Sequence, residues 1–408
     1  MTVTSQLRPE VPVLSADQAL EVARQLATEF CPGAADRDRE RRLPYAEVER
    51  LKSSGLLSLT VPAHLGGPGL PPSTVSAVFA ILAEADPNIA QVVHSHFVYC
   101  NFIQVSADET QQSGLFERVL TGRLVANAQA ERSGPTANDV TTTLSLRADG
   151  HLRLSGTKYY CTGSPFADVI AVLAELDDAA GATGIPQGQC VVFLPAGTHG
   201  LRIVDDWDAL GQRVTGSGTV VLDRVEVRRR WVVPRTAFQA PNGYGAFAQL
   251  RHASIDVGIA RAALRDAAEF VRTRSRPWFE AGVERAEEDP LTLQRFGELQ
   301  VELVAAEAVL ERAQRSVDVV HETPDERHAT RASLDVAAAK VLAERAAVGL
   351  ASSMFEVCGT RAVGSGESLD RHWRNARTHT LHDPVRWKFQ HLGRHALTGQ
   401  APPRHGAI

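Results

Sequence analysis

Two histidines three residues apart, His379 and His382, lie in the segment Arg374-Asn-Ala-Arg-Thr-His-Thr-Leu-His-Asp-Pro384. A carboxylate, Asp383, follows the second, and arginines stand on both flanks. Imidazole gains and loses a proton near neutral pH, so such a pair suits proton handling beside a bound small molecule. Pro384 disfavours helix at Asp383, which puts His382 at a helix boundary or in a turn. The same spacing also fits an exposed helix end whose cations complement the helix dipole. Spacing leaves both readings open, and the elements that would position the pair must decide.

Those elements fall into three blocks. In residues 1–122 apolar positions recur at helical spacing, as in Ala19, Val22, Ala23, Leu26 and Ala27. A Gly- and Pro-rich loop interrupts them at Val61–Pro72, and helix resumes over Val75–Ala85 and Ile89–Val105. Residues 123–238 change period to short β-prone runs: Thr141–Arg147, His151–Lys158, Val169–Leu176, Cys190–Pro195, Leu201–Val204 and Gly218–Val227. Asp149-Gly150 between the first two is a hairpin signal, and the block reads as a small antiparallel barrel. Residues 239–408 return to long Ala-rich helices, Gln249–Arg274, Leu291–Val320 and Ala329–Cys358. Ile255, Ile259, Ala263, Ala267 and Val271 form one apolar stripe there, as expected for a four-helix bundle that also supports subunit contacts.

Composition narrows the classes of function. The 408 residues exceed what one core usually serves, so two or three packed units are expected. A net charge of −5 gives no polyanion footprint and argues against nucleic acid as a partner. The five cysteines (31, 100, 161, 190, 358) show neither a CxxC nor metal-ligand spacing, so buried thiols and no metal site are expected. No apolar leader and no run of about 18 apolar residues is seen, which predicts a cytoplasmic protein with no membrane partner.

A phosphate-bearing cofactor would need an unusual holder. There is no Walker loop and no GxGxxG after a strand, and Gly359-Thr-Arg-Ala-Val-Gly-Ser-Gly366 follows a helix instead. Arginines remain: Arg274 and Arg276 before Trp278, and Arg361 past Cys358. Each alone also reads as a solvated surface cation.

The helical–β–helical order resembles the acyl-CoA dehydrogenase fold, an α+β architecture of N-terminal helical domain, central antiparallel β domain and C-terminal four-helix bundle. Asn127-Ala-Gln-Ala-Glu131, Gly156-Thr-Lys-Tyr-Tyr-Cys-Thr-Gly163 and Trp207-Asp-Ala-Leu-Gly-Gln-Arg-Val-Thr-Gly216 carry that likeness. Gly156–Gly163, Arg276-Pro-Trp278, Glu288-Asp-Pro290 and Arg377–Pro384 are similar to one branch, the dibenzothiophene monooxygenases and sulfur-acquisition monooxygenases. The resemblance implies a two-component, homotetrameric enzyme that receives reduced FMN from a separate NAD(P)H-dependent FMN reductase. Through a C4a-hydroperoxyflavin it would pass one oxygen of O2 to a small organosulfur substrate. The glutamate base of many dehydrogenases falls on Asp383, one methylene shorter and held before a proline, which argues against thioester oxidation.

The same resemblance implies roles for residues one at a time. His96, with His94 as a second choice, Asn127, Thr162, His379 and His382 become the catalytic candidates. Asn127, Tyr160, Thr162, Trp207, Arg276, Arg361 and His379 become the flavin contacts, with Arg274 as the substitute for Arg276 and the arginines reaching a neighbouring subunit's flavin. Without the resemblance His96 reads as a core histidine, Asn127 as a turn cap and Thr162 as a strand-end hydroxyl. Three other functions remain open: an FAD-dependent acyl-CoA dehydrogenase, an N- or aromatic hydroxylase on the same scaffold, and a catalytically silent scaffold.

Overall fold

Local capping chemistry starts the helices of the first block. In the computed structural model, which describes residues 11–136, 138–178 and 181–408, the expected N-terminal unit loses only its first ten residues from view. Ser15 and Gln18 cap α1 (Ala16–Phe30) reciprocally, and α2 (Ala34–Glu40), α3 (Tyr45–Ser53) and α4 (Pro72–Ala85) follow. Asp86 ends α4 and caps α5 (Pro87–Ser106), accepting the Asn88 N–H, with Pro87 at the first helical position. The same carboxylate receives the buried Arg37 Nε at 3.0 Å, so the cap is anchored from α2. α6 (Glu109–Leu120) closes the block with an Asp108–Gln111 capping box.

The β block contains β1 (Val125–Ala128), β2 (Thr143–Leu146), β3 (Leu152–Lys158), β4 (Val169–Asp177), β5 (Gly188–Pro195), β6 (Leu201–Val204), β7 (Thr219–Val227) and β8 (Val232–Pro234). The Asp149-Gly150 turn does join β2 to β3 as an antiparallel hairpin. The sheet runs β6-β7-β3-β2-β4-β5-β8, with β1 branching from β4. Most of its strand pairs are antiparallel, as expected of this block. Among the described residues the path ends at β6 and β8, and β1 and β2 each pair with β4 in parallel. Pro234 withdraws a donor at the β8 edge, a reason for the sheet to stop there.

In the third block α7 (Tyr244–Thr273), α8 (Pro290–Glu322) and α9 (Glu326–Cys358) are 30, 33 and 33 residues long. The Asp289-Pro290 pair starts α8, where Asp289 accepts the Leu291 N–H. α10 (Asp370–His379) and α11 (Arg386–Thr398) pack against α9. α7 is the common wall of the molecule: it packs on α4, α5, α8, α9 and α10, and 22 of its residues are buried.

Two glycines let the blocks approach. A Cβ at Gly258 would stand 2.7 Å from the Ala80 carbonyl oxygen, so this position seats α7 on α4. A Cβ at Gly211 would stand 2.0 Å from the Arg374 carbonyl oxygen. Next to it the Gln212 N–H donates to Asn375 Oδ1 at 2.7 Å, pinning the 207–216 loop of the β block to α10. That junction sets one wall of the site.

Candidate active site

A cavity of about 740 Å³ opens where the β block meets α10 and the turn after it. Asn127 and Gln129 border it from β1 and just beyond, Tyr160 and Thr162 from the end of β3, and Trp207, Gln212, Thr215 and Ser217 from the pinned loop. Arg377, Thr378, His379, Leu381 and His382 complete it from the helical side. The expected turn is present: α10 ends at His379, and the His382 N–H donates back to the His379 carbonyl at 3.1 Å. The structure thus brings Asn127, Tyr160, Thr162, Trp207, His379 and His382 to one space.

His96 is not brought there. It is fully buried, with Nε2 2.7 Å from the Leu57 carbonyl and Nδ1 accepting the Val125 N–H at 3.1 Å. Both nitrogens are spent on backbone, and burial pulls its pKa down to about 4. Two residues earlier on α5, a different face of the helix turns His94 toward α7. Its ring stacks on His252 at 3.9 Å between centroids, and Nε2 meets the Ala248 carbonyl at 3.2 Å. Arg274, Arg276 and Arg361 are also away from the cavity of their own chain. All three are exposed; Arg274 pairs with Glu367 and Arg361 donates to the Arg274 carbonyl.

Behind the lining histidines lies a buried polar chain. His379 Nδ1 meets Asp256 Oδ1 at 2.5 Å, and Asp256 Oδ2 takes the Lys340 ammonium at 2.6 Å, with neither partner of that ion pair exposed. On its other side His379 Nε2 is 3.1 Å from His252 Nδ1. The carboxylate dictates the tautomers: it holds a proton on His379 Nδ1, so Nε2 presents a lone pair to a proton on His252 Nδ1. His252 Nε2 is then a proton acceptor, 3.9 Å from Asp383 Oδ2. Asp383 is buried and accepts from Gln249 Nε2 at 2.8 Å, with His382 Nδ1 at 3.3 Å.

The electrostatics follow from burial and crowding. Burial, then the neighbouring imidazoles, push His252 well below the ordinary histidine range, and His94 moves the same way. Burial lowers His379 too, although Asp256 opposes it. Burial would raise Asp256 and Asp383, but Lys340 with His379, and His382 with Gln249, hold their carboxyls below the usual range. Burial brings Lys388 down to about 8, against the pull of Asp383. His252, His382 and Asp383 also present ligand atoms within 4.8 Å of one another, a set able to take a divalent cation.

Residues present at the cavity fit a flat polar ring system. Asn127 Oδ1, Gln91 Oε1 and both amide atoms of Gln212 are buried and lack a hydrogen-bond partner among the described residues. Unpartnered buried amides are costly, and a heterocycle edge would satisfy them. The Thr162 hydroxyl is already engaged, sharing a hydrogen bond with Ser217 at 2.8 Å, and Ser217 continues to Thr215.

Sequence reasoning missed His252, Asp256 and Lys340. The signal was available: Gln249, His252 and Asp256 recur at one helical face amid an apolar stretch of α7, and Lys340 interrupts an Ala-rich run of α9.

Architecture and cavity together define a flavoprotein-type scaffold, and comparison with known proteins gives it a family. The N-terminal, middle and C-terminal domain models of the acyl-CoA dehydrogenases match residues 15–123, 128–225 and 250–387. The chain belongs to the acyl-CoA dehydrogenase family and, within it, to the dibenzothiophene monooxygenase branch. It is 32% identical to the dibenzothiophene monooxygenase of Rhodococcus qingshengii over 98% of this chain and 99% of that protein. The FMN-bound crystal structure of TdsC from Paenibacillus sp. A11-2 superposes with a TM-score of 0.90 at 32% identity, covering 96% of this chain and 100% of that one. Methanesulfinate monooxygenase MsuC from Pseudomonas fluorescens superposes with a TM-score of 0.87 at 30% identity, covering 97% and 100%.

Proposed function

We propose that this chain is an FMN-dependent monooxygenase that oxygenates a small organosulfur substrate with O2, taking reduced FMN from a separate NAD(P)H-dependent reductase. The observation that carries this reading is one cavity holding the unpartnered Asn127 amide on the β side and the His379–His382 pair on the helical side. Reduced flavin, when bound, supplies two electrons and activates dioxygen, so that one oxygen atom enters the substrate and the other leaves as water.

The protein's own residues bind, orient and move protons. Tyr160, Thr162 and Trp207 wall the flavin space, and Asn127 and Gln212 are its amide partners. Asp383, 3.3 Å from His382 Nδ1, orients that ring and leaves its Nε2 available for proton transfer in the cavity. His379 is fixed by Asp256 in one tautomer and backs the same wall. Arg276 and Arg361 serve a neighbouring subunit's phosphate as guanidinium forks, within a working unit we propose to be a cytoplasmic homotetramer. No helix among the described residues is long and apolar enough to cross a membrane.

The test is oxygen consumption by the purified chain with a generic FMN reductase, NADH and a panel of organosulfur compounds. Product carrying label from 18O2 is expected. Turnover of acyl thioesters with an artificial electron acceptor and no oxygen incorporation would instead make it a dehydrogenase.

A further inference from the structure

We propose that His252, His382 and Asp383 form a binding site for a first-row transition metal of the zinc class, and that the bound ion switches oxygenation off. The site itself stands on geometry; only its effect on oxygenation rests on the monooxygenase reading above.

The three side chains come from two places in the fold. His252 lies on α7, and His382 and Asp383 lie in the turn that follows α10. One ligand atom from each stands within 4.8 Å of the other two. His382 Nδ1 is 3.3 Å from Asp383 Oδ2, and His252 Nε2 is 3.9 Å from the same oxygen. Ligands about 2.0–2.1 Å from a tetrahedral zinc stand about 3.3 Å from one another. One edge of the triangle already has that length, and the other two close through rotations in the turn, where the His382 side chain is 45% exposed. His382 also lines the cavity, which gives an ion its path inward.

Two imidazole nitrogens and one carboxylate oxygen suit zinc, nickel or copper, whereas magnesium and calcium favour sets of oxygens. Ligand side chains of a metal site are held by partners of their own, and those partners are present. His379 Nε2 is 3.1 Å from His252 Nδ1, and Asp256 behind it sets the tautomer that turns an Nε2 lone pair toward Asp383. Gln249 Nε2 orients the Asp383 carboxylate from 2.8 Å. His94, stacked on His252 with Nε2 on the Ala248 carbonyl, packs against the ring that ligates. Three protein ligands leave the fourth tetrahedral position to water.

The ion competes with protons for the same lone pairs. A metal on His382 Nδ1 leaves that ring one proton, on Nε2, and no position for a second. His382 can then no longer gain and release a proton in the cavity, and oxygenation stops.

The experiment titrates the purified chain, without flavin, with Zn2+ by calorimetry, and with Co2+ as an optical probe. One Zn2+ per chain is expected, with an intense four-coordinate Co2+ spectrum and no displacement by Mg2+. His382→Ala and Asp383→Asn should each weaken Zn2+ at least tenfold, and His199→Ala, at an exposed histidine, should change it less than twofold. No stoichiometric binding by the unsubstituted chain overturns the proposal whether or not the variants fold. So does a six-coordinate Co2+ spectrum, or affinity that survives both substitutions. In a single turnover with pre-reduced FMN, one equivalent of Zn2+ should lower oxygenated product at least tenfold, and a chelator should restore it. Bound zinc with undiminished product overturns the switch. Zinc that binds as expected in a chain that oxygenates nothing, with or without the ion, would sink the monooxygenase reading and leave the metal site standing.

Discussion

At His96 the apolar run around the residue and its family resemblance point in opposite directions, and its neighbours in the fold separate them. Its two ring nitrogens serve the backbone of Leu57 and Val125, so its expected role is to tie α5 to β1. His96→Gln should cost about 1–3 kcal/mol of stability from broken buried hydrogen bonds, with product yield per folded enzyme unchanged. Because the folded pKa is about 4 against an ordinary 6.5, the unfolded chain binds the extra proton and stability falls as pH drops between those values. That loss amounts to about 3 kcal/mol at the acid end, and the variant's stability should fall less steeply there in denaturant titrations at pH 4 to 7. His382→Ala has the opposite expected profile. Melting temperature should hold while oxygenated product falls at least tenfold and hydrogen peroxide rises, since a cavity proton donor is worth about 10²–10⁴ in rate. A His382→Ala enzyme that kept its product yield would remove the histidine from the mechanism.

Elements with strong local periodicity are legible in the amino-acid pattern: Leu201–Val204 is β6 to the residue, and the three long helices fall within a few residues of their ends. β1 and β8 are not. They are four and three residues long; β1 joins β4 in parallel without a hairpin turn, and β8 carries Pro234. The polar stripe of α7 is hard to see because an apolar stripe on the same helix dominates its pattern. Its energetics are those of a buried ion pair between elements. Asp256→Asn strands the Lys340 ammonium between α7 and α9, and a loss of about 3–5 kcal/mol is expected. Replacing both, Asp256→Leu with Lys340→Met, should recover most of that melting temperature, because no charge remains unpaired. The double variant would still lack the carboxylate that sets the His379 tautomer, so it should fold well and oxygenate poorly. Recovery of both stability and product yield would mean that the ion pair is purely structural.

For the molecule as a whole, the arginines expected at the phosphate are the telling residues. Arg276 and Arg361 are exposed and absent from their own chain's cavity, yet a flavin in that cavity needs a phosphate partner. The chain that follows Arg276 leaves large apolar side chains open: Trp278 is 62% exposed, Phe279 79%, Leu291 76% and Val301 69%. Large apolar side chains left open along one segment mark an interface, and in the proposed homotetramer a second copy of this chain would cover them and deliver the arginines to a neighbouring cavity. Assembly and flavin affinity should therefore fail together. Trp278→Glu with Phe279→Glu is expected to yield smaller species in sedimentation and to weaken FMN binding at least tenfold, with secondary structure intact. Arg276→Ala with Arg361→Ala should weaken FMN to a similar degree while the oligomer persists, because it removes the ligand contact and leaves the apolar seal. If the charged double variant became monomeric and still bound FMN as tightly as before, the phosphate would have to be held within one chain, and Arg377 is the remaining cavity cation on the helical side.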